Sequence, residues 1–253
     1  MTGYGQFCSI AKALEVVGER WTLLILRELI CGAARFSEIQ RGLPRLSPSL
    51  LAKRLAALEA GGVIRHEAGG YRLTEAGAEL RPVVEALGIW GQRWVRGQLT
   101  PEDFDPDLLM WDMRRRIALD RLPAGRLCVA FGFPDAPPGK RAYWLLLSPE
   151  AADLCISDPG VEPDLWVTTS LQLMVRIWNG DLPLAPRIAD GSVELSGPRT
   201  LCAAFPGWLQ LGAFAGVAAA RPAQAGAASA NGRSRLGRKA ASSPIAGRKA
   251  QTR

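Results

Sequence analysis

The chain of 253 residues contains five cysteines, Cys8, Cys31, Cys128, Cys155 and Cys202, and a single histidine, His66. An odd cysteine count without a C-x-x-C pair argues against a disulfide framework and against a zinc site. One histidine leaves little base chemistry for activating a serine or cysteine nucleophile. No catalytic residue, metal or cofactor is therefore expected, and the chain reads as a non-enzyme. Among the thiols, Cys8 has Lys12 one helical turn away, which could lower its pKa somewhat and so raise its reactivity. The alternative is an inert cysteine.

A second kind of chemistry is written between Ser47 and Glu59. Ser47 followed by Pro48 is a strong helix start, since the serine caps free amides and proline at the first helical position forfeits no needed hydrogen bond. At 100° per residue, Leu51, Leu55 and Leu58 share one face, while Ser49, Ala52, Lys53 and Ala56 lie across from them. A small outer face with one cation can approach DNA closely: lysine donates to guanine and alanine methyls pack against thymine methyls. Arg54, at the edge of that face, would meet phosphate more readily than a base.

Such a helix needs a frame, and the flanking sequence supplies one. Phe7, Ile10, Ala11, Leu14 and Val17 form one helical stripe that Gly18 ends, and a second helix runs from near Trp21 to Gly32. Ser37 and Gln40 have capping-box spacing and start a short third helix that Gly42 and Pro44 close. Beyond Gly61-Gly62, which stops the fourth helix, V-I-R-H-E-A and Y-R-L flank Gly69-Gly70 as two strands of a tight hairpin. Thr74 then caps a long helix bearing Leu80, Val83, Val84, Leu87, Trp90, Trp94 and Val95, and its two tryptophans suggest packing against a partner or a second domain. This is a helix-turn-helix with a wing, and its DNA-facing candidates are Ser37, Ser47, Ser49, Ala52, Lys53, Arg54, Ala56, Arg65, His66 and Arg72.

Charge divides the chain further. Residues 1–99 carry 13 basic and 9 acidic side chains, residues 100–217 carry 10 and 15, and residues 218–253 carry 8 and none. The last segment, rich in Ala, Gly, Ser, Arg and Lys, cannot bury enough apolar surface to fold and reads as a basic arm with nonspecific phosphate attraction or as a dispensable extension. The longest apolar stretch, Leu211 to Ala220, falls short of the roughly 20 residues that span a bilayer. Met1 to Ser9 lacks a basic flank with an apolar run. A soluble, cytoplasmic protein without membrane contact is expected.

The N-terminal residues resemble the HxlR-type winged-helix transcriptional regulators. The matching pieces are F-C-S-I-A-K-A-L-E-V-V-G-E-R-W-T-L-L-I-L-R-E-L at Phe7 to Leu29, R-F-S-E-I at Arg35 to Ile39, L-S-P-S-L-L-A-K-R-L-A-A-L-E at Leu46 to Glu59, and L-T-E-A-G at Leu73 to Gly77. The likeness covers about the first 97 residues. It implies a homodimer built through the terminal helices, with one recognition helix per protomer in adjacent major grooves of double-stranded DNA. It also implies that Cys8 occupies a position where some members sense electrophiles or oxidants. The stretch between Ile64 and Tyr71 is shorter than the proline-bearing wing common in that family.

After a linker at residues 100–107, Leu109, Met113 and Ile117 mark a helix, and L-C-V-A-F-G-F at Leu127 to Phe133 has the period of a strand. A-Y-W-L-L-L, D-L-C-I-S-D and D-L-W-V-T predict further strands of an antiparallel sheet. Ser170 or Thr169 caps a helix ending at Gly180, and a last strand and helix follow Gly191. The run from Asp164 to Asp181 and D-G-S-V-E-L-S-G-P-R-T-L at Asp190 to Leu201 look like the sterol carrier protein 2 fold over residues 108–217. That family is similar in having a five-stranded sheet and helices around an apolar tunnel. The resemblance implies Phe131, Phe133, Trp166, Met174 and Trp178 as lining residues for a hydrophobic small molecule or lipid, and the plain alternative is that they fill a core.

The expected fold class is α+β, with a winged helix at 1–99, a linker at 100–107, the carrier-like domain at 108–217 and a basic tail at 218–253. The function read from this is a homodimeric DNA-binding regulator whose second domain senses an apolar ligand or supports assembly. Two alternatives stand beside it: a thiol-redox sensor acting through Cys8, and a lipid carrier that uses the winged helix for protein contacts.

Overall fold

The computed structural model describes residues 3–220, and the basic segment that follows lies outside them. Helices α1 (Ser9–Val17), α2 (Thr22–Ile30), α3 (Phe36–Arg41) and α4 (Pro48–Ala60) precede the hairpin of β1 (Ile64–Glu67) and β2 (Gly70–Leu73). Their interior is aliphatic: Ile25, Leu26 and Leu29 of α2 meet Ile39, Leu43, Leu46, Leu51, Leu55, Leu58, Val63 and Ile64. The hairpin is pinned from outside itself, because the Tyr71 amide donates to the Ala34 carbonyl at 2.8 Å. At Gly70, with φ of 113°, a Cβ would collide with that carbonyl, so the approach requires glycine.

Several elements differ from the sequence expectation. The first helix begins at Ser9, and its stripe is not a buried one: Ala11 and Val17 are buried, whereas Phe7, Ile10 and Leu14 face outward. The α3 start uses Glu38, whose carboxylate accepts from the amides of Ala34 and Arg35 at 2.9 and 3.0 Å, instead of a Ser37–Gln40 box. Gln40 donates to the carbonyls of Leu43 and Leu46 and so ties the turn to α4. Glu67 pairs with Gly70, which makes Ala68-Gly69 the turn of the hairpin and places Gly70 in the strand.

The long helix after Thr74 is two helices, α5 (Glu75–Glu79) and α6 (Arg81–Trp94), meeting at Leu80. Pro82 explains the break: it has no N–H for the Ala78 carbonyl and its ring crowds that carbonyl. Thr74 does cap α5, its hydroxyl accepting from the Gly77 amide at 3.1 Å. Trp90 and Trp94 are both about half exposed, so the second domain does not cover them.

Residues 100–107 contain a 3₁₀ turn at Pro101–Asp103 and the first residues of α7 (Pro106–Arg114). A five-stranded sheet follows, in the order β5-β4-β3-β6-β7, from β3 (Leu127–Gly132), β4 (Ala142–Leu147), β5 (Ala152–Cys155), β6 (Leu165–Thr168) and β7 (Glu194–Ser196). Helices α8 (Leu171–Trp178), α9 (Leu184–Ala189) and α10 (Arg199–Ala204) complete it, α9 being one that the sequence pattern did not reveal.

The sheet is mixed, which corrects the antiparallel expectation: β3 and β6 run parallel. β3, β4 and β5 form a meander, so β5 points the same way as β3. The segment 156–164 then crosses the sheet instead of reversing, and Asp164 fixes its far end beside β3, its amide donating to the Cys128 carbonyl and its carboxylate accepting from the Cys128 amide. One face of the sheet, through Val129, Phe131, Tyr143, Leu145, Leu147, Leu165 and Val167, packs on α7, α8 and the Phe205–Leu209 segment. The Tyr143 hydroxyl donates to Asp107 at 2.7 Å, and burial together with that carboxylate pushes the phenol well above its usual range. Among the described residues, no helix is long and apolar enough to cross a membrane.

Candidate nucleic-acid interface

Helix α4 is built as its sequence demands. Ser47 Oγ accepts from the Leu50 amide at 3.3 Å, Pro48 opens the first turn, and Gly61 follows the last residue. Leu51, Leu55 and Leu58 are buried against the aliphatic core, while Ser49, Ala52, Lys53 and Ala56 are exposed on the opposite side. The residues grouped by periodicity therefore share one outward face. Among the described residues, Lys53 makes no hydrogen bond or ion pair, so its ammonium is free to meet a ligand.

Arg54 behaves differently from its neighbour. Its guanidinium donates to Glu19 at 2.6 Å and to the Arg20 carbonyl at 3.2 Å, which turns it toward the N-terminal end of α2 and away from the face of α4. In the wing, Arg65 and Arg72 both reach Glu67, at 2.5 and 3.3 Å. His66 stacks on Tyr71 with ring centroids 4.4 Å apart, and its amide donates to Glu59. These three wing residues are exposed, as is Ser37 on α3. Exposed ion pairs of this kind are weak, so a phosphate can displace Glu67 from either arginine at small cost.

Two arginines that sequence reasoning passed over stand at the turn between α3 and α4. Arg41 ends α3 with its guanidinium 5.7 Å from the centroid of the Trp111 ring, and Arg45, just before α4, donates to the Glu102 carbonyl. Their signal was the run R-G-L-P-R between two helices, which places cations at the turn itself.

The sequence that builds this helix, core and hairpin has counterparts in known proteins. The family model for HxlR-like helix-turn-helix proteins matches residues 16–98. The HTH-type transcriptional regulator YvaP of Bacillus subtilis is 35% identical over 91 residues, which are 33% of this chain and 84% of that protein. The chain belongs to the HxlR-like helix-turn-helix family. Its place among HTH-type transcriptional regulators follows from that membership. An HTH-type regulator of Mycobacterium bovis is 41% identical over 96 residues, and there the chain spans 59% of the relative's length. Among solved structures, quinone-bound YodB from B. subtilis is 34% identical, with 33% of this chain and 94% of that one covered and a TM-score of 0.31. The HxlR-like match ends at residue 98, so it speaks for the winged helix and not for the sheet behind it.

Cys8, the HxlR-like chain's candidate sensor, stands at the N-cap of α1 and is exposed. Its thiol is held below the usual range by the backbone amides of Ala11 and Ile10. Lys12 is not the cause: it is bound to Glu15 at 2.9 and 3.0 Å. The helix N-terminus thus supplies what the sequence reading assigned to a lysine.

The five residues proposed to line a tunnel do not form one lining. Phe131, Phe133 and Met174 are wholly buried and Trp178 nearly so, within one core. Phe131 lies 6.5 Å from Phe133 and 6.2 Å from Phe205, Phe133 lies 6.1 Å from Tyr143, and Phe205 meets Trp208 edge-on at 5.9 Å. Trp166 sits between Leu165 and Val167 on β6 and therefore points to the other face of the sheet, 38% exposed. Among the described residues, no group of three His, Cys, Asp or Glu is placed to hold a metal ion.

Proposed function

We propose that this protein is a homodimeric, DNA-binding transcriptional regulator that lays α4 in the major groove. The observation that carries the reading is the outer face of α4, where Ser49, Ala52 and Ala56 leave a shallow surface around Lys53, which has no partner among the described residues. Small side chains let the helix backbone come close to base edges, and a free ammonium keeps its donors for guanine or phosphate. Ser37 and Ser47 and the wing residues Arg65, His66 and Arg72 flank that face as backbone contacts. The basic segment 218–253 would add phosphate attraction without sequence preference.

Dimerisation rests on a separate observation. Tyr4, Phe7, Ile10 and Leu14 are exposed around α1, and Val83, Leu87, Ile89, Trp90 and Trp94 are exposed along α6. α6 has no buried residue at all. Apolar exposure on this scale marks an association surface, and a two-fold pair would present two α4 helices to half-sites about one helical turn apart. The second domain serves assembly in this reading. Ligand sensing would need space where the aromatic rings of its core now meet.

Selection of genomic fragments by the purified protein, followed by sequencing, tests the DNA reading: a pseudo-palindromic site is expected, and recovery of random fragments would overturn it. Sedimentation equilibrium tests the dimer. Leu87→Glu with Trp90→Glu should yield monomers, and an unchanged mass would remove α6 from the interface.

A second reading concerns Cys8, whose exposed thiol stands at the start of α1, where the amides of Ala11 and Ile10 lower its pKa. Treatment with diamide should release wild-type protein from its site and leave Cys8→Ser bound. Equal release of both would end that reading.

A further inference from the structure

The carboxylate of Glu28 lies wholly buried on α2, and the α4 surface does not use it. Its two oxygens are served from different places. Oε1 accepts from Arg27, the next residue, at 2.9 Å from Nε and 2.6 Å from Nη2, and from Arg115 Nη2 at 3.3 Å. Among the described residues, Oε2 accepts only from beyond the winged helix: Arg115 Nη1 at 2.8 Å and Trp111 Nε1 at 3.4 Å, both carried by the α7 region. Without α7, one oxygen of a buried carboxylate would have no partner among the described residues.

That carboxylate touches the helix-turn-helix directly. Gly42, between α3 and α4, has no room for a Cβ because Glu28 occupies the place, and Arg27 Nη2 also donates to the Gly42 carbonyl at 3.0 Å. On the other side, Arg115 binds Asp112 at 3.1 Å, and Asp112 accepts from the indole of Trp178 on α8 at 2.7 Å. A continuous chain of charged hydrogen bonds thus joins the turn before the recognition helix to the core of the second domain. Arg41 over Trp111 and Arg45 on the Glu102 carbonyl attach the same turn at its two ends.

We propose that Arg115 and Trp111 are positioning residues for DNA binding, holding the α3–α4 turn in its DNA-competent geometry by completing the hydrogen bonding of Glu28. The inference rests on the DNA-binding reading of α4. Its physical basis is the penalty on a half-partnered buried charge: losing Arg115 forces the carboxylate either to stay unsatisfied or to swing toward water, and Gly42 lies against it. Arg115 forms a two-pronged contact that an ammonium cannot reproduce. The second domain thereby acts on operator affinity without touching DNA.

The test uses the full-length protein and the genomic site it selects, with operator affinity and amide exchange of residues 36–46 read in parallel. Arg115→Ala should weaken operator binding by about 5- to 150-fold, the usual span of coupling between sites, and accelerate exchange at the turn. Arg115→Lys should recover part of the loss. Glu28→Gln combined with Arg115→Ala should cost less than the two single changes summed, because the charge that needed a partner is gone. Trp111→Phe, which deletes one donor and keeps the ring, should shift both readouts in the same direction by less, and it carries the test if Arg115→Ala does not fold. Wild-type affinity and exchange in Arg115→Ala, or strictly additive losses in the pair, would overturn the proposal. Wild-type protein that selects no site overturns the DNA reading instead, so the two failures are told apart.

Discussion

The two halves of the described chain fill their cores with different side chains. Between α1 and β2 the buried apolar side chains are all Val, Ile, Leu and Ala, whereas the sheet domain buries Phe131, Phe133, Tyr143, Trp178, Phe205 and Trp208 in one cluster. Short helices crossing at close range leave gaps that branched aliphatics fill. The difference decides where chemistry can be displayed. In the winged helix the candidate recognition groups sit outside on α4 and the wing. In the sheet domain the residues with recognition potential are spent on packing, and the polar groups that matter face the winged helix.

The largest effect should come from testing whether that aromatic core is full. Phe131→Ala removes a ring in contact with Phe133 and Phe205, and a closed core predicts a loss of about 3–5 kcal/mol. Denaturant unfolding followed by tryptophan fluorescence measures it. A loss under about 1 kcal/mol would mean that the ring lines open space, and the carrier-like reading of this domain would regain its footing.

A smaller effect separates two adjacent cations on α4. Lys53→Ala should cost roughly 1–3 kcal/mol of discrimination between the selected site and random DNA, because its donors are uncommitted. Arg54→Ala breaks the contact with Glu19 and should change stability by less than about 1 kcal/mol while leaving discrimination intact. Fluorescence anisotropy with both DNAs reads the pair. If the Lys53 change weakens both complexes equally, Lys53 touches phosphate and the bases are read by something else.

How much of this could be read from the chain alone follows the range of the interactions concerned. The α4 assignment rested on a serine cap, a proline and a leucine stripe, all local, and the structure has them in place. The wing and the five strands were legible from alternation and turn residues. The parallel pairing of β3 and β6 was not, since it depends on where the 156–164 segment lands, which no periodicity encodes. The stripe on α1 was legible as apolar, but that Phe7, Ile10 and Leu14 stay exposed was not, because a sequence shows that a face is hydrophobic and not whether its own chain meets it. Glu28 carried no signal either. Within R-E-L on α2 it looks like any helix glutamate, and its burial depends on Arg115, 87 residues further along. The turn arginines Arg41 and Arg45 were visible as charges, but their partners Trp111 and Glu102 were not.

The smallest expected effect leaves stability aside and compares one thiol from each half. Cys8 is exposed at the start of α1, where the amides of Ala11 and Ile10 favour the thiolate and hold its pKa below the ordinary 9.0. Cys128 on β3 is buried, and burial, reinforced by Asp164, pushes its thiol above that value. The thiolate is the nucleophile, so a lower pKa means that alkylation by iodoacetamide begins at lower pH. As pH rises from 6 to 9, peptide mass spectrometry of the native protein should find Cys8 modified first and Cys128 last, with denatured protein showing a single common onset. Lys12→Ala should leave the Cys8 onset where it is, because the Lys12 ammonium is already held by Glu15. An onset that moves up in Lys12→Ala would return the effect to the lysine. A Cys8 onset equal to that of denatured protein would show that the helix amides do nothing for it, and with that the thiol-sensing reading would lose the one observation that sets Cys8 apart.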